Sequence, residues 1–256
     1  MVTLYEALGL RDHDVVAFVG AGGKTTAMFR LARELRADRT TVVVTTTTKI
    51  LIPPPSPDLR VVIERERSAL IASVARLIVH EPIPVVARET TADGKLVGIP
   101  PEWVTDLAEL PAVRHVLVEA DGAARKPFKA PRDGEPVIPS VATVVVTVVG
   151  VDALGEPLSA VAHRPEQVMA LTGLAADDRL DARAIARVLL HPSGIAKGAP
   201  RGARIVSLLN KADDPHRVEQ ARELAAELRR GGARRVVIAA LEARDAVIGV
   251  EVIEMA

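Results

Sequence analysis

The sequence contains no cysteine and very few aromatic residues. With no Cys among 256 residues, disulfides, thiolate metal sites and thiol nucleophiles are excluded. Aromatic residues make up 2% of the chain and hydrophobic residues 48%, so the core must be built from Val, Leu, Ile and Ala. The length suits one large α/β domain or two small ones.

An excess of one charge and a long apolar run are also missing. Lys plus Arg and Asp plus Glu number 33 each, so the chain has no global attraction for nucleic acid or acidic membranes. The longest apolar run, around residues 141–151, is far shorter than a membrane span. The first residues also lack the basic and apolar regions of a secretion signal. We therefore expect a soluble, cytoplasmic protein with no nucleic-acid partner and no membrane partner.

What the sequence does have is a glycine-rich stretch between a strand pattern and a helix pattern. Residues 15–19 form an unbroken apolar run, typical of a parallel strand buried on both faces. In residues 26–36, apolar side chains recur at helical spacing. A glycine turn before a helix gathers backbone N–H groups and the positive end of the helix dipole. The stretch therefore predicts a loop that cradles the phosphates of a nucleoside triphosphate, with these residues: Gly20, Ala21, Gly22, Gly23, Lys24, Thr25 and Thr26.

Two side chains of this loop have specific expected roles. Lys24 supplies a cation for the phosphates, and Thr25 a hydroxyl that holds magnesium. The usual phosphate loop would place its first glycine at position 18, which is Phe18, so we expect a tighter cradle that starts at Gly20. The alternative is a glycine turn that only packs a strand against a helix. A dinucleotide-binding turn is disfavoured because Thr25 stands where its third glycine belongs.

A run of threonines follows the second predicted strand, residues 41–45. Polar groups at the carboxyl end of a parallel strand lie where open sheets bind ligands. We therefore expect Thr47 and Thr48, followed by Lys49, to line the phosphate region. The alternative is that Thr, being β-branched, merely suits a strand.

Two acidic residues end another predicted strand, residues 113–118. Glu119 and Asp121 are two positions apart, so both carboxylates can point to the same side. An acidic residue at this place holds or orients magnesium beside a phosphate loop. Together with Lys24 they are our candidate catalytic residues. The alternative is a simple Asp-Gly turn.

A long proline-rich loop, residues 123–139, comes directly after these acids. Long structureless loops inside compact domains are often functional. Our hypothesis is that one of its basic residues, Arg125, Lys126 or Lys129, reaches the terminal phosphate or a negatively charged partner when the loop closes. Arg125 is the candidate catalytic residue, and the alternative is a solvated charged loop.

The sequence Asn210-Lys211-Ala212-Asp213 follows a further buried strand, residues 205–209. At this place an Asp can accept two hydrogen bonds from guanine, while the Asn amide meets the acceptor edge of the base and the Lys stem packs along the ring. We therefore expect Asn210, Lys211 and Asp213 to bind the base and to favour GTP over ATP. The alternative is ordinary turn chemistry before the next helix.

Taken together, these motifs resemble the YqeC family of P-loop proteins over nearly the whole chain. The resemblance rests on the segments 19–26, 45–49, 118–131 and 135–139, and the segments 163–165 and 210–213 fit it too. Its most specific part is Glu-Ala-Asp-Gly with its Lys-Ala-Pro tail. It implies nucleotide binding and a role as accessory factor in maturing a selenium-dependent molybdenum hydroxylase. A molybdenum hydroxylase or its cofactor-synthesis proteins would then be the partner. The shortened glycine loop is this family's form.

We therefore predict an α/β fold, a P-loop NTPase-like three-layer sandwich with a mostly parallel central sheet of about six to eight strands. The whole of residues 1–256 is expected to form one domain, with a helical insertion at about 151–200. Helix 68–79 and edge strand 247–253 are among its predicted elements.

The leading functional hypothesis is a Mg²⁺-dependent GTPase or ATPase. Thr25 with Asp121 or Glu119 would hold the metal. One alternative is phosphoryl or nucleotidyl transfer to a small acceptor with Glu119 as base, and another is a nucleotide-gated chaperone or cofactor carrier without hydrolysis.

Overall fold

Strands and helices alternate along the computed structural model, which describes residues 2–78, 82–243 and 245–252. The strands are β1 (Val15–Gly20), β2 (Val42–Thr46), β3 (Lys49–Leu51), β4 (Leu59–Ile63), β5 (Ile83–Ala87), β6 (Glu89–Thr90), β7 (Lys95–Val97), β8 (His115–Glu119), β9 (Phe128–Lys129), β10 (Val144–Gly150), β11 (Ala162–His163), β12 (Arg204–Asn210), β13 (Arg235–Ala239) and β14 (Val247–Val252). The helices are α1 (Leu4–Leu8), α2 (Lys24–Ala37), α3 (Arg67–Leu77), α4 (Trp103–Glu109), α5 (Leu158–Val161), α6 (Pro165–Thr172), α7 (Ala182–Leu190) and α8 (Pro215–Arg230).

The main sheet of the described residues has nine strands, in the order β14-β13-β12-β10-β1-β8-β2-β5-β4. Every neighbouring pair in it is parallel except β13 with β14, which is antiparallel. The sheet exceeds the predicted strand count because β4 and β14 both join as edge strands. The predicted mostly parallel α/β sandwich is confirmed.

The strands at the centre are apolar on both faces because helices cover both sides of the sheet. In β1, Val16 and Phe18 belong to the core layer that includes α1 and α2, whereas Val15, Ala17 and Val19 belong to the layer that includes α3, α4, α7 and α8. This alternation follows from the two-residue period of a strand. The core is therefore two apolar layers that sandwich the sheet.

The segment between β10 and β12, where the sequence predicts a helical insertion, contains α5, α6 and α7. Ile185 and Val188 of α7 are fully buried in the same core layer as α8. The division of the chain into one domain with an insertion stays a prediction.

The predicted helix 68–79 is observed as α3 and the predicted edge strand 247–253 as β14; residues 79 and 253 lie outside the described residues. Among the described helices, none combines the length and the apolar character that crossing a bilayer requires.

Two small sheets accompany the main one. One is antiparallel, in the order β3-β7-β6, and the other pairs β9 with β11 in parallel, with Phe128 opposite Ala162 and Lys129 opposite His163. The second pair matters for the site because it brings the loop after β8 beside the segment before α6.

Candidate functional site

The glycine-rich stretch forms the turn between β1 and α2, as the sequence predicts. Gly20, Gly22 and Gly23 all have positive φ, at 95°, 81° and 129°. A Cβ on Gly22 would lie 2.1 Å from the backbone nitrogen of Gly150, and one on Gly23 would lie 2.2 Å from Asn210 Nδ2. Neighbouring loops therefore pack directly on the turn, and glycine is required there for both conformation and space.

The main chain of the loop after β8 also contacts this turn. The Gly22 N–H donates to the Lys126 carbonyl over 3.2 Å, and the Gly150 N–H donates to the Pro127 carbonyl over 2.9 Å. The two residues Lys126 and Pro127 thus form a main-chain bridge between the ends of β1 and β10.

Lys24 lies at the start of α2 and is buried, with only 4% of its side chain exposed. Its ammonium group donates to the Gly20 carbonyl over 2.7 Å, lies 3.1 Å from Asp121 Oδ1 and lies 3.7 Å from Glu119 Oε1. Burial by itself would lower the pKa of Lys24, but the two carboxylates outweigh it and raise the pKa above its usual value. Lys24 is therefore a charged, pre-positioned donor at the floor of the turn.

Glu119, the last residue of β8, contacts the hydroxyl expected to hold a metal ion. Thr25 Oγ1 donates to Glu119 Oε2 over 2.6 Å. Burial raises the pKa of Glu119, although Lys24 and the Thr25 hydrogen bond work against this effect. A carboxylate that burial destabilises in this way would gain from a further cation.

The donor chemistry of Thr25 and Glu119 fits Mg²⁺, which prefers oxygen ligands and usually takes one or two carboxylates together with substrate phosphates and water. Among the described residues, no group of three or more His, Cys, Asp or Glu side chains is placed to hold a metal. The protein would therefore supply few of the ligands itself, as is common for magnesium–nucleotide sites.

Asp121 connects the turn to the strand ends and is fully buried. Its Oδ2 accepts the Gly20 N–H over 2.9 Å and lies 3.1 Å from the Lys129 ammonium. Because Oδ1 faces Lys24, this carboxylate lies between two lysines. Asp121 is thus inaccessible to solvent and holds the glycine turn through the Gly20 N–H.

Lys129 is fully buried and joins the candidate site to the segment before α6. Its ammonium donates to Gly122 O over 2.7 Å and to Glu135 Oε2 over 3.0 Å, and Arg164 Nη1 donates to the same Glu135 oxygen over 2.5 Å. Burial would raise the pKa of Glu135, but the hydrogen bonds from Arg164 and Lys129 lower it to about 2.

Acids and bases therefore alternate through the site in what we call the charge cluster, which consists of Thr25-bound Glu119, Lys24, Asp121, Lys129, Glu135 and Arg164. The sequence did not indicate roles for Glu135 and Arg164. The signal was present only in the resemblance, since both residues belong to segments that carry it.

The basic residues of the loop after β8 separate from one another. Lys129 points into the charge cluster, Lys126 donates to the Ala160 carbonyl over 2.6 Å, and Arg125 is exposed with φ of 61°. Ala124 also has a positive φ, of 45°. The catalytic role of Arg125 stays a prediction, and Arg125 is the exposed basic residue among the three.

The threonine run ties the end of β2 to its neighbours. Thr46 Oγ1 donates to the Glu119 carbonyl over 2.8 Å, Thr47 Oγ1 donates to the Val137 carbonyl over 2.7 Å, and Thr48 N donates to Thr46 Oγ1 over 3.0 Å. These contacts place the run beside the main chain of Glu119. Phosphate contact by Thr47 and Thr48 stays a prediction.

The three residues predicted to bind the base divide into a buried part and an outer part. Asn210 is 4% exposed; its Nδ2 donates to the Gly22 carbonyl over 2.7 Å and its Oδ1 accepts the Leu241 N–H over 3.1 Å. Lys211 pairs with Asp152 over 2.7 Å, and the exposed Asp213 lies 3.5 Å from Arg217. The Asn210 amide therefore holds three loops together, while Lys211 and Asp213 lie further out.

The sheet, the glycine turn after β1 and the acidic end of β8 define an α/β protein of the P-loop NTPase-like sandwich class. A family model described as "YqeC protein" matches residues 16–166. The "Uncharacterized protein YqeC" of Escherichia coli (strain K12) is 32% identical over 199 residues, which is 77% of this chain and 75% of that protein. The chain belongs to the YqeC family.

Proposed function

We propose that the protein binds a nucleoside triphosphate, as its magnesium complex, at the turn Gly20–Thr26 and hydrolyses it. The observation that carries the proposal is the buried ammonium of Lys24, held on the Gly20 carbonyl beneath a three-glycine turn at the start of a helix. A pre-positioned cation under backbone N–H groups at a helix N-terminus suits a polyphosphate.

In this proposal the phosphates take over part of the role that the carboxylates now play for Lys24. The ammonium would donate to phosphate oxygens, while Asp121 would keep its hydrogen bond to the Gly20 N–H and its contact with Lys129. Lys129 therefore supplies the compensating charge that prevents Asp121 from becoming an unpaired buried anion.

Thr25 and Glu119 would hold the magnesium ion, which neutralises phosphate charge when bound. Their mutual hydrogen bond places the two oxygens side by side. Asp121 fits this role less well, because Oδ2 is already engaged by Gly20 and Lys129.

We further propose that GTP is favoured over ATP, with Asp213 reading the base. Its carboxylate is exposed and its contact with Arg217 is long, at 3.5 Å, so it can exchange that partner for a base. Asn210 would then act mainly by fixing the position of the loop, because its amide spans Gly22 and Leu241.

The biological role that fits the family resemblance is that of a maturation factor for a selenium-dependent molybdenum hydroxylase. The support is family membership alone. Two other readings use the same turn: phosphoryl or nucleotidyl transfer to a small acceptor, and a nucleotide-gated chaperone or cofactor carrier that does not hydrolyse.

Binding is tested by thermal melting of the full chain with magnesium and GTP, ATP or no nucleotide. We expect the parent protein to melt higher with a magnesium–nucleotide, since a ligand that binds only the folded state stabilises it. Lys24→Ala should lose this shift. Lys95→Ala is the control, because Lys95 is a partly exposed lysine that pairs with Asp93. No shift with any magnesium–nucleotide in the parent, or an unchanged shift in Lys24→Ala, would refute the proposal.

Phosphate release separates the three readings. Steady release without an acceptor supports hydrolysis, turnover only with an added acceptor supports transfer, and tight binding without turnover supports the gated carrier.

Asp213→Asn should weaken GTP binding and favour xanthosine nucleotides, because an amide cannot accept both guanine hydrogen bonds. Equal competition of GTP and ATP in the parent would contradict the base assignment.

A further inference from the structure

A cavity of about 710 Å³ lies at the end of the central sheet opposite to the glycine turn. It opens at the amino ends of β12 and β13, which Arg204 and Arg235 begin, whereas the glycine turn follows the carboxyl end of the parallel strand β1. Its lining comes from residues 8–11, 189–207, 232–235 and 252, all outside the span 16–166 that the family model matches. The cavity is therefore separate from the candidate nucleotide site.

The charge of this cavity is one-sided. Arg11, Arg204, Arg234 and Arg235 line it, and the described lining residues include neither Asp nor Glu. Among the described residues, Asp14 lies outside the lining and pairs with Arg204. In a chain whose formal net charge is zero, this is a local excess of positive charge in a cleft, where low-dielectric walls strengthen the field.

Two of these arginines are fixed in place by the end of α1. Arg235 Nη1 donates to the Ala7 carbonyl over 2.9 Å, and Arg204 Nη1 donates to the Gly9 carbonyl. Gly9 has φ of 65°, and a Cβ there would lie 2.8 Å from Arg235 Cζ. Both guanidinium groups therefore cap the helix, yet each keeps further N–H donors because a guanidinium has five.

The same cavity carries exposed apolar side chains. Leu190 is 37% exposed, Ile205 is 45% exposed and Val252 is 47% exposed, and all three line it. Exposed aliphatic side chains that gather around one concave surface are typical of a binding site. A cavity that is lined by arginines and by aliphatic side chains is suited to a ligand that is both charged and apolar. An inorganic ion would not use the aliphatic side chains, and an uncharged hydrocarbon would not use the arginines.

We propose that this cavity binds an organic anion of small-molecule size, with an apolar body against Leu190, Ile205 and Val252 and a carboxylate or phosphate against the arginines. Guanidinium groups match the planar, two-oxygen geometry of such anions. The volume lies within the range of small-molecule sites. The proposal is independent of the nucleotide site.

The test uses anilinonaphthalene sulfonate, a fluorescent amphipathic anion, titrated into the full chain. We expect saturable one-to-one binding that decanoate displaces and that decanol, its uncharged counterpart, does not. Arg234→Glu should weaken binding by at least about tenfold, through lost attraction and added repulsion, and raised salt should weaken parent binding as well. Ile205→Ser should weaken binding in the same direction.

Two control variants change residues of the same type outside the cavity lining. Arg222→Glu reverses an exposed arginine of α8, and Ile248→Ser removes an exposed aliphatic side chain of β14; both should bind the dye as the parent does. Equal loss in Arg222→Glu and Arg234→Glu, or displacement by decanol as effective as by decanoate, would overturn the proposal.

Competition with magnesium–nucleotide separates this inference from the proposed function. Added to the parent protein with dye bound, magnesium–nucleotide should leave the dye in place, whether or not the glycine turn binds nucleotide. Displacement of the dye by magnesium–nucleotide would place the dye at the glycine turn and also overturn the proposal.

Discussion

The glycine turn with the charge cluster and the Asn210–Asp213 loop lie side by side but are built differently. In the first region, Lys24, Asp121 and Lys129 are buried and each is paired. In the second, Asn210 is buried, whereas Lys211 and Asp213 are at least partly exposed. The first region is therefore part of the folded core, whereas the outer part of the second can change with little effect on the fold.

Lys129→Met should destabilise the protein most. It removes the cation shared by Asp121 and Glu135, and breaking a buried ion pair typically costs about 3–5 kcal/mol. Urea unfolding measures the change. Lys126→Met, which loses only a bond to a main-chain carbonyl, is the control. If both variants unfold alike, Lys129 is not part of a core network.

Gly22→Ala should cost about 2 kcal/mol or more, because the added Cβ would meet Gly150 and the residue has positive φ. The control is Gly122→Ala, on the neighbouring loop, where a Cβ would meet nothing within 4 Å. Melting and urea curves compare the two. A Gly22→Ala variant as stable as Gly122→Ala would show that the turn tolerates a side chain.

Asn210→Ala and Asp213→Ala test the contrast inside the second loop. The first leaves the Gly22 carbonyl and the Leu241 N–H without their partner, which should cost about 1–3 kcal/mol. The second changes an exposed residue and should stay within about 0.5 kcal/mol of the parent. Equal effects of the two substitutions on the free energy of unfolding would contradict the division into a buried part and an outer part.

Glu135→Gln should make the stability of the protein less dependent on pH under acidic conditions. The folded pKa of Glu135 is lowered from 4.5 to about 2, so its contribution is present above pH 4.5 and is lost as the pH falls toward 2. The parent should therefore lose more stability than Glu135→Gln across that window. Melting temperatures measured over this range check it, and parallel curves for the two proteins would contradict the pairing with Lys129 and Arg164.

The sequence predicted the parts of this architecture that depend on neighbouring residues. A buried apolar run, three glycines and an amphipathic helix are contiguous, so β1, its turn and α2 could be recognised together. Glu119 and Asp121 could be placed on one side because they are two positions apart on or after a strand.

The charge cluster could not be predicted in the same way. Lys129, Glu135 and Arg164 meet because two-residue strands, β9 and β11, pair across a long loop, and such short strands carry no periodic signal. Likewise, the position of Asn210 depends on Leu241, which belongs to a different strand end. Long-range partners of this kind are set by tertiary packing, which a local pattern does not encode.

The main-chain bridge formed by Lys126 and Pro127 has a mechanical consequence. Its carbonyls accept the N–H groups of Gly22 and Gly150, so both hydrogen bonds join main-chain atoms. A substitution of the Lys126 side chain should therefore leave both hydrogen bonds in place. A displacement of the bridge would break the hydrogen bonds of the Gly22 N–H and the Gly150 N–H together. A movement of the loop after β8 would therefore affect both the glycine turn and the segment that follows β10.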